Sequence, residues 1–111
     1  MNLQVLVSTM HRDDYSLIEK MNIQTDAIVI NQFNTNMIQH FKVNNSCIKW
    51  INSKDRGLSI SRNMALENAN SNICLLADDD LEYLKGYEEI VLTQFQHYPN
   101  ADIIAFQVEG I

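Results

Sequence analysis

The sequence predicts a three-layer α/β domain, with a largely parallel sheet of about five strands and helices on both faces. Two observations lead to this fold class. Short apolar runs rich in Val and Ile alternate with longer segments of helical period, which is the pattern of a parallel sheet flanked by helices. A chain of 111 residues that is 46% hydrophobic and 20% charged also has the composition of one globular unit with one core. We therefore expect residues 1–111 to form a single domain.

The predicted strands are the short apolar runs that lie between polar segments. They cover residues 3–8, 27–31, 48–52, 73–77 and 102–107. Each run contains few charges, as is typical of strands that are buried on both faces of a parallel sheet.

The predicted helices connect these strands. Residues 15–20 form a short helix, and Asp13 or Asp14 precedes it as the residue that accepts hydrogen bonds from the first-turn amides. Residues 58–70 form the second helix. Its predicted buried stripe consists of Leu58, Ser61, Ala65, Leu66 and Ala69. Residues 84–97 form the third, which Pro99 ends. The stripe of this third helix consists of Ile90, Val91, Gln94 and Phe95. The segment 35–41 favours neither helix nor strand.

Composition and charge exclude several classes of protein. The formal net charge is −6 and no segment is rich in Lys or Arg, which argues against nucleic acid as a partner. Residues 1–8 lack the basic and apolar regions of a secretion signal, and no apolar run approaches the roughly 20 residues that span a bilayer. We therefore expect a cytoplasmic protein with no transmembrane segment. Cys47 and Cys74 lie in apolar runs, which predicts buried free thiols.

Polar clusters follow four of the predicted strands. They cover residues 8–12, 31–32, 52–57 and 78–80. Ligands of open α/β sheets bind outside the carboxyl ends of the strands. The sequence therefore predicts that Asn31, Asn52 and Asp78 end at one edge of the sheet and share a site.

The cluster at 78–80 consists of three successive aspartates. Like charges this close together are unfavourable unless solvent or a cation relieves them, and a divalent ion does so well. An extended backbone would place Asp78 and Asp80 on one side and Asp79 on the other. The alternative is a solvated acidic loop whose last aspartate caps the next helix.

The basic residues near the same edge also allow two interpretations each, as ligand contacts or as ordinary surface residues. His11 and Arg12 either contact a phosphate or form a solvated loop pair. Arg62 lies near a helix N-terminus, which favours anions, although a surface arginine is the alternative. His40 and His97 are expected at the surface.

The chain resembles family-2 glycosyltransferases of the GT-A fold, whose core is a Rossmann-like half. The most specific stretch is Arg56-Gly57-Leu58-Ser59-Ile60-Ser61-Arg62-Asn63, which is followed by Ala65, Ala69 and a strand that ends in Asp78-Asp79-Asp80. This is similar to the family's Gly-Leu-Ser-x-x-Arg-Asn helix and its DXD motif. At the first strand, Thr9 and Arg12 match the family's pattern, whereas Ser8, Met10 and His11 do not. Asn31-Gln32 stand where the family commonly has two acidic residues, one of which binds uracil.

The resemblance implies a nucleoside-diphosphate sugar as donor, with a UDP-sugar favoured, and an acceptor glycan or lipid-linked saccharide. It implies that Asp80 ligates Mn²⁺ or Mg²⁺, that Asp78 assists through water and that Asp79 approaches the ribose; in an alternative register Asp79 is the ligand. The residues implied in nucleotide-sugar binding are Thr9, His11, Arg12, Asn31, Gln32, Arg56, Gly57, Arg62, Asp78 and Asp79. A location at the membrane periphery is an alternative to the cytoplasm.

The resemblance covers only the donor-binding part of the family. Members usually run longer, and their second half carries the acceptor site and the carboxylate that deprotonates the acceptor. Asp102 and Glu109 are the carboxylates beyond the third helix, and their spacing marks neither as this base. We expect the N-terminal domain of a longer glycosyltransferase or a truncated member. The alternative is a non-catalytic nucleotide-sugar-binding or assembly module without an acceptor site.

Two other α/β classes fit less well. A nucleotidyltransferase usually has a glycine-rich loop after its first strand, and residues 8–14 contain no glycine. A receiver domain carries its acidic residues after the first and third strands, whereas here the aspartates follow the fourth.

Overall fold

The computed structural model describes residues 2–98, which form a three-layer α/β unit. The strands are β1 (Leu3–Met10), β2 (Asp26–Gln32), β3 (Met37–Val43), β4 (Ser46–Ser53) and β5 (Ile73–Asp78). The helices are α1 (Leu17–Lys20), α2 (Leu58–Asn68) and α3 (Tyr87–His97). The predicted fold class is confirmed. The predicted strand at 102–107 and the helix end at Pro99 lie outside the described residues.

The sheet has the strand order β3-β4-β2-β1-β5. β1 pairs in parallel with both β2 and β5, and β2 pairs in parallel with β4. These four strands are the predicted ones, each extended by one to three residues. β1, β2 and most of β4 are buried because helices cover both faces of the sheet, whereas β5, the outermost strand on its side, is partly exposed.

β3 is antiparallel to β4 and falls in the segment that the sequence left open. The two strands are joined by Asn44 and Asn45, whose φ angles are 49° and 70°. Two successive positive φ angles are typical of the two-residue turn that matches the twist of a hairpin, and asparagine tolerates them. β3 is mostly exposed because it is an outermost strand of the sheet and pairs with β4 only.

The helices divide between the two faces. α1 and α3 pack on one face through a cluster that contains Leu17, Met21, Tyr87 and Val91. α2 packs on the other face through Ala65. This division gives the three layers.

Several sequence predictions about the helices need correction. Leu58 and Leu66 of the α2 stripe and Ile90 of α3 are about half exposed, because each helix contacts the sheet along a narrower line than its apolar pattern suggests. α1 begins at Leu17, and no side chain caps it. Asp14 instead accepts hydrogen bonds from the hydroxyl and amide of Ser16, which lower the pKa of the Asp14 carboxyl.

The two cysteines also differ from the prediction. Cys47 is exposed, because the alternation along β4 turns it away from the core that its neighbour Ile48 enters. Cys74 is half-buried, and burial raises the pKa of its thiol. His40 and His97 are exposed, as predicted.

The segment between β5 and α3 is attached to the turn that precedes β2. The Tyr83 amide donates to the Met21 carbonyl at 2.8 Å, and the Asn22 side chain donates to the Tyr83 carbonyl at 2.9 Å. The Gln24 side chain binds the Leu84 carbonyl. Residues 83–84 are therefore fixed at the end of the sheet opposite the carboxyl ends of the strands.

Two tyrosines reinforce this attachment. The rings of Tyr83 and Tyr87 stack at 4.4 Å, and the Tyr87 hydroxyl lies 2.6 Å from the hydroxyl of Thr25. Burial raises the pKa of Tyr83 to about 12 and raises that of Tyr87 as well.

Candidate functional site

The carboxyl ends of the parallel strands bring the predicted polar residues together. In the register of the sheet, Asn31 lies opposite Thr9 on one side and Asn52 on the other. Asp78 lies opposite Ser8, one residue before Thr9. The prediction that Asn31, Asn52 and Asp78 end at one edge is confirmed.

Asp79 is held against β1 by two side chains. The Thr9 hydroxyl donates to Asp79 Oδ2 at 2.7 Å, and Arg12 Nη2 donates to the same oxygen at 3.2 Å. Arg12 Nε also donates to the Thr9 hydroxyl at 3.0 Å. Thr9 is buried, so its hydroxyl fixes the orientation of both charged groups. The strand ends at Asp78, and Asp79 and Asp80 lie in a turn in which the Leu81 amide donates to the Asp78 carbonyl at 3.3 Å, so the extended backbone considered for the three aspartates does not continue past Asp78.

Asp78 forms a second ion pair, with Arg62 of α2. The distance from Arg62 Nη2 to Asp78 Oδ1 is 3.4 Å, and the two side chains are 45% and 59% exposed. A contact this open contributes little to stability because solvent screens it. Asp80 is exposed as well. Two carboxylates and one guanidinium are therefore available to a ligand at this edge.

The N-terminus of α2 is directed to the same edge. Gly57 precedes the helix with a φ of 114°, which favours glycine. Its carbonyl accepts hydrogen bonds from the Gln32 side chain at 2.8 Å and from the Ser61 amide at 3.1 Å. The Ser61 hydroxyl donates to that of Ser8 at 2.9 Å. These bonds tie the start of α2 to β1 and β2, so its first-turn amides lie where an anion would be stabilised.

Asn31 is part of a buried amide network. Its Nδ2 donates to Asn52 Oδ1 at 2.9 Å and to the Arg12 carbonyl at 3.0 Å, and its Oδ1 accepts from the Arg12 amide at 3.1 Å. Trp50 Nε1 donates to the same Asn52 oxygen at 3.0 Å. Asn31 is 0% exposed. Its amide therefore shapes the loop that carries Arg12.

The sequence did not single out Trp50 or the bonding role of Asn52. The available signal is that an asparagine ends both β2 and β4, at positions that the register places opposite each other. Two amides at facing buried positions can satisfy each other, and buried polar groups are nearly always satisfied.

The remaining predicted residues lie around this centre. The backbone of His11 is left-handed, with a φ of 56°, and its amide donates to the Gln32 carbonyl at 2.9 Å. His11 is exposed. Arg56 Nη1 donates to the carbonyls of Ser53 and Lys54, so its guanidinium is partly engaged by its own loop.

A divalent ion has two carboxylates available at this edge, those of Asp78 and Asp80. Among residues 2–98 no group of three or more His, Cys, Asp or Glu side chains is arranged to hold a metal. Mg²⁺ commonly binds through one or two carboxylates and completes its shell with substrate phosphates and water. The residues present fit an ion that is shared with a phosphorylated ligand.

Comparison with known proteins gives one match. The model of the family "Glycosyl transferase family 2" matches residues 16–110, which include Arg62 and the three aspartates but not β1. No curated protein and no solved structure matches the chain. In the described part of the chain, no helix has the length and apolar character needed to cross a membrane. Because the family model covers most of the sequence, the chain belongs to glycosyl transferase family 2.

Proposed function

We propose that the chain binds a nucleoside-diphosphate sugar at the carboxyl edge of its sheet and serves as the donor half of a metal-dependent glycosyltransferase. The observation that carries the proposal is the presence of two arginine–aspartate pairs at that edge, Arg12 with Asp79 and Arg62 with Asp78. A metal diphosphate brings both signs of charge. The Asp78 carboxylate can then turn to the cation and Arg62 to the phosphates, while Arg12 stays with Asp79, so that every charge keeps a partner.

The roles follow from exposure and bonding. Asp78 and Asp80 would hold Mn²⁺ or Mg²⁺, since both are exposed. Asp79, which Thr9 and Arg12 hold in place, would accept from a ribose hydroxyl. The chemistry that the ion supplies when bound is stabilisation of the negative charge on the departing nucleoside diphosphate.

Arg62 and the N-terminus of α2 would bind the diphosphate. A helix N-terminus favours an anion, and a guanidinium adds two parallel donors that match phosphate oxygens. The Asp78 contact holds Arg62 near this position at 3.4 Å. The contact is weak enough to open when a phosphate arrives.

Uracil is the base that we propose, with modest selectivity. Both amide atoms of Asn31 are engaged within the protein, so Gln32 is the remaining residue at the end of β2 to accept from a base. One neutral hydrogen bond contributes about 0.5 to 1.5 kcal/mol. UDP should therefore bind better than ADP by about tenfold or less. Equal affinities in calorimetry would remove uracil from the proposal.

A melting experiment tests the site. UDP with Mn²⁺ at a hundred times its dissociation constant should stabilise the fold by about 2.7 kcal/mol. In a domain of this size that corresponds to about 10 °C in Tm. UDP without the metal should have little effect, because the edge carries exposed carboxylates. Asp80→Ala should remove the joint effect and leave the Tm of the free protein nearly unchanged.

The matched control is Glu67→Ala, which removes an exposed carboxylate from α2 away from the edge. It should keep the full response. If the parent gains nothing from metal and UDP together, and Asp80→Ala destabilises the free protein, Asp80 is a structural cap and the proposal fails.

Transfer and binding are separable by assay. A glycosyltransferase acts on an acceptor glycan or lipid-linked saccharide, and it usually also hydrolyses its donor slowly. If the chain binds the donor with metal but neither hydrolyses nor transfers the sugar, it is a binding or assembly module.

A further inference from the structure

A cavity lies on the α2 face of the sheet, at the opposite end from the aspartates. It is a groove of about 500 Å³ between the β3–β4 hairpin and the C-terminal end of α2. This volume is within the range of small-molecule sites. The last β4 residue that lines the groove is Lys49, whereas the donor edge begins at Asn52. The two positions are three strand residues apart, which is about 10 Å.

Cationic side chains are concentrated in this groove. The antiparallel register pairs Lys42 with Cys47 and His40 with Lys49, so all four side chains share one face of the hairpin. Asp26 is the lining carboxylate, and its Oδ1 accepts from the Cys47 amide at 2.8 Å. Two lysines against one aspartate give this groove a positive balance, whereas the chain as a whole carries −6.

Hydrogen bonds hold the groove in shape. Lys49 Nζ donates to Asn68 Oδ1 at 2.8 Å, which links the hairpin to the end of α2. The Asn70 amide donates to Gln4 Oε1 at 3.0 Å, which links the next residues of the chain to β1. Neither lysine forms an ion pair within residues 2–98. The lining of the groove therefore includes two lysines that no carboxylate of residues 2–98 neutralises by direct contact.

We propose that this groove binds a compact anionic group, a phosphate or a carboxylate of a small molecule, at a site separate from the donor edge. Lys42 and Lys49 supply the charge, and the amide side chains around them supply neutral hydrogen bonds. The site does not depend on the proposed transferase function, since it shares no residue with it.

The thiol of Cys47 is exposed and lines the groove, so its reaction rate with charged reagents reports the charge of the groove. We compare its reaction rate with an anionic aromatic disulfide, 5,5′-dithiobis(2-nitrobenzoate), and with an uncharged one, 2,2′-dithiodipyridine, at one pH. A lysine about 7 Å from the reacting sulfur changes the encounter with a unit charge about threefold. The anionic reagent should therefore be favoured in the parent protein, and Cys47→Ser should abolish the fast phase with both reagents.

Two variants test the source of the preference. Lys42→Gln and Lys49→Gln remove the charge, and glutamine at the second position keeps a donor for Asn68. A nearby lysine also favours the reactive thiolate and so speeds the reaction with both reagents, which is why the ratio of the two rates is the measured quantity. Each variant should lower the ratio of the anionic to the uncharged rate about threefold. Lys20→Gln, which removes the same charge from α1, is the control and should change neither rate. If Lys20→Gln has the same effect as the groove variants, only the overall charge matters and the proposal is wrong.

Binding is tested in the parent protein by protection. Inorganic phosphate and citrate are each compared with chloride at equal ionic strength, with the uncharged reagent. Slower labelling of Cys47 in phosphate alone assigns a phosphate ligand, and slower labelling in citrate alone assigns a carboxylate. Slower labelling in both supports an anion site of broad selectivity. Equal rates in all three salts would overturn the proposal, because the groove would then attract anions without binding them.

Discussion

Asn31→Asp restores the acidic residue that the family commonly has at the end of β2, and we expect it to destabilise this protein. The change converts the donor Nδ2 into an acceptor that faces Asn52 Oδ1 at 2.9 Å and the Arg12 carbonyl at 3.0 Å. Two hydrogen bonds are lost, each worth about 1 kcal/mol, and buried acceptors then face each other. The new carboxylate also lies at a position with no exposed surface.

The free energy lost by burying the charge of the introduced carboxylate has an upper limit. A buried carboxylate can take up a proton, which costs about 4 kcal/mol at pH 7 for a group of ordinary pKa near 3.9. A total loss of about 3 to 5 kcal/mol is therefore expected at neutral pH. Domains of this length have about 5 to 15 kcal/mol of stability, so the variant should remain folded but melt about 12 to 20 °C lower.

The pH dependence identifies the cause. Burial raises the pKa of the introduced carboxyl above its unfolded value, so the folded state binds the extra proton. The destabilisation due to charge should be absent below pH 4 and should grow as the pH rises from there through the folded pKa. Urea denaturation of parent and variant from pH 4 to 8 measures this difference.

Asn34→Asp is the matched control, because Asn34 is exposed in the loop after β2. It adds the same charge and should change stability by less than about 0.5 kcal/mol. An Asn31→Asp variant that melts within a degree or two of the parent at pH 7 would show that the buried amide network does not form.

Three further changes test other parts of the structure. Gly57→Ala should cost about 1 to 3 kcal/mol in urea denaturation, because a φ of 114° is strained for alanine even though the nearest atom is 4.0 Å from the added carbon; an unchanged midpoint would contradict this backbone geometry. Thr9→Val removes the hydroxyl between Asp79 and Arg12 without changing the shape, and should cost about 1 to 2 kcal/mol; no loss in the same assay would mean that the two charges need no bridge. Stability should also fall as the pH rises above about 10 and continue to fall to about 12, because the pKa of Tyr83 is raised in the folded state and deprotonation favours unfolding. Circular dichroism should show a smaller fall in Tyr83→Phe, and an equal fall would assign the effect to other groups.

The buried strands were predictable because their environment leaves a continuous signal. β1, β2 and most of β4 are buried, so their sequences contain nearly uninterrupted apolar runs; β5 keeps such a run although it is an outermost strand and Leu76 is 54% exposed. β3 has neighbours on one side only and is exposed over most of its length, so alternation is weak in a segment such as Ile38 to Lys42. Its clearest local signal is the pair Asn44-Asn45, which favours a tight hairpin.

The candidate site was predictable in position but not in bonding. The parallel direction of β1, β2, β4 and β5 brings their carboxyl ends together, so the polar clusters had to meet. Which of them face solvent depends on register. Asn31 was assigned to the ligand from the sequence, yet its amide is bonded to Asn52, and Asp79, which keeps that assignment in our proposal, is held in place by Arg12. Such pairings join residues that are 21 and 67 positions apart, which no local pattern specifies.

The attachment of Tyr83 to Met21 restricts how this scaffold can be re-engineered. Residues 79–82 connect two fixed points, the end of β5 and the Tyr83 amide, which is 2.8 Å from its acceptor. An insertion there would either displace the carboxylates or detach α3, so that stretch is a poor choice for a randomised library. The loops at 33–36 and 54–56 are exposed over most of their length and are joined by the bond from the Lys54 amide to the Asn36 side chain. Length variation in directed evolution is better placed in those two loops, where new sequence can be added without moving the aspartates.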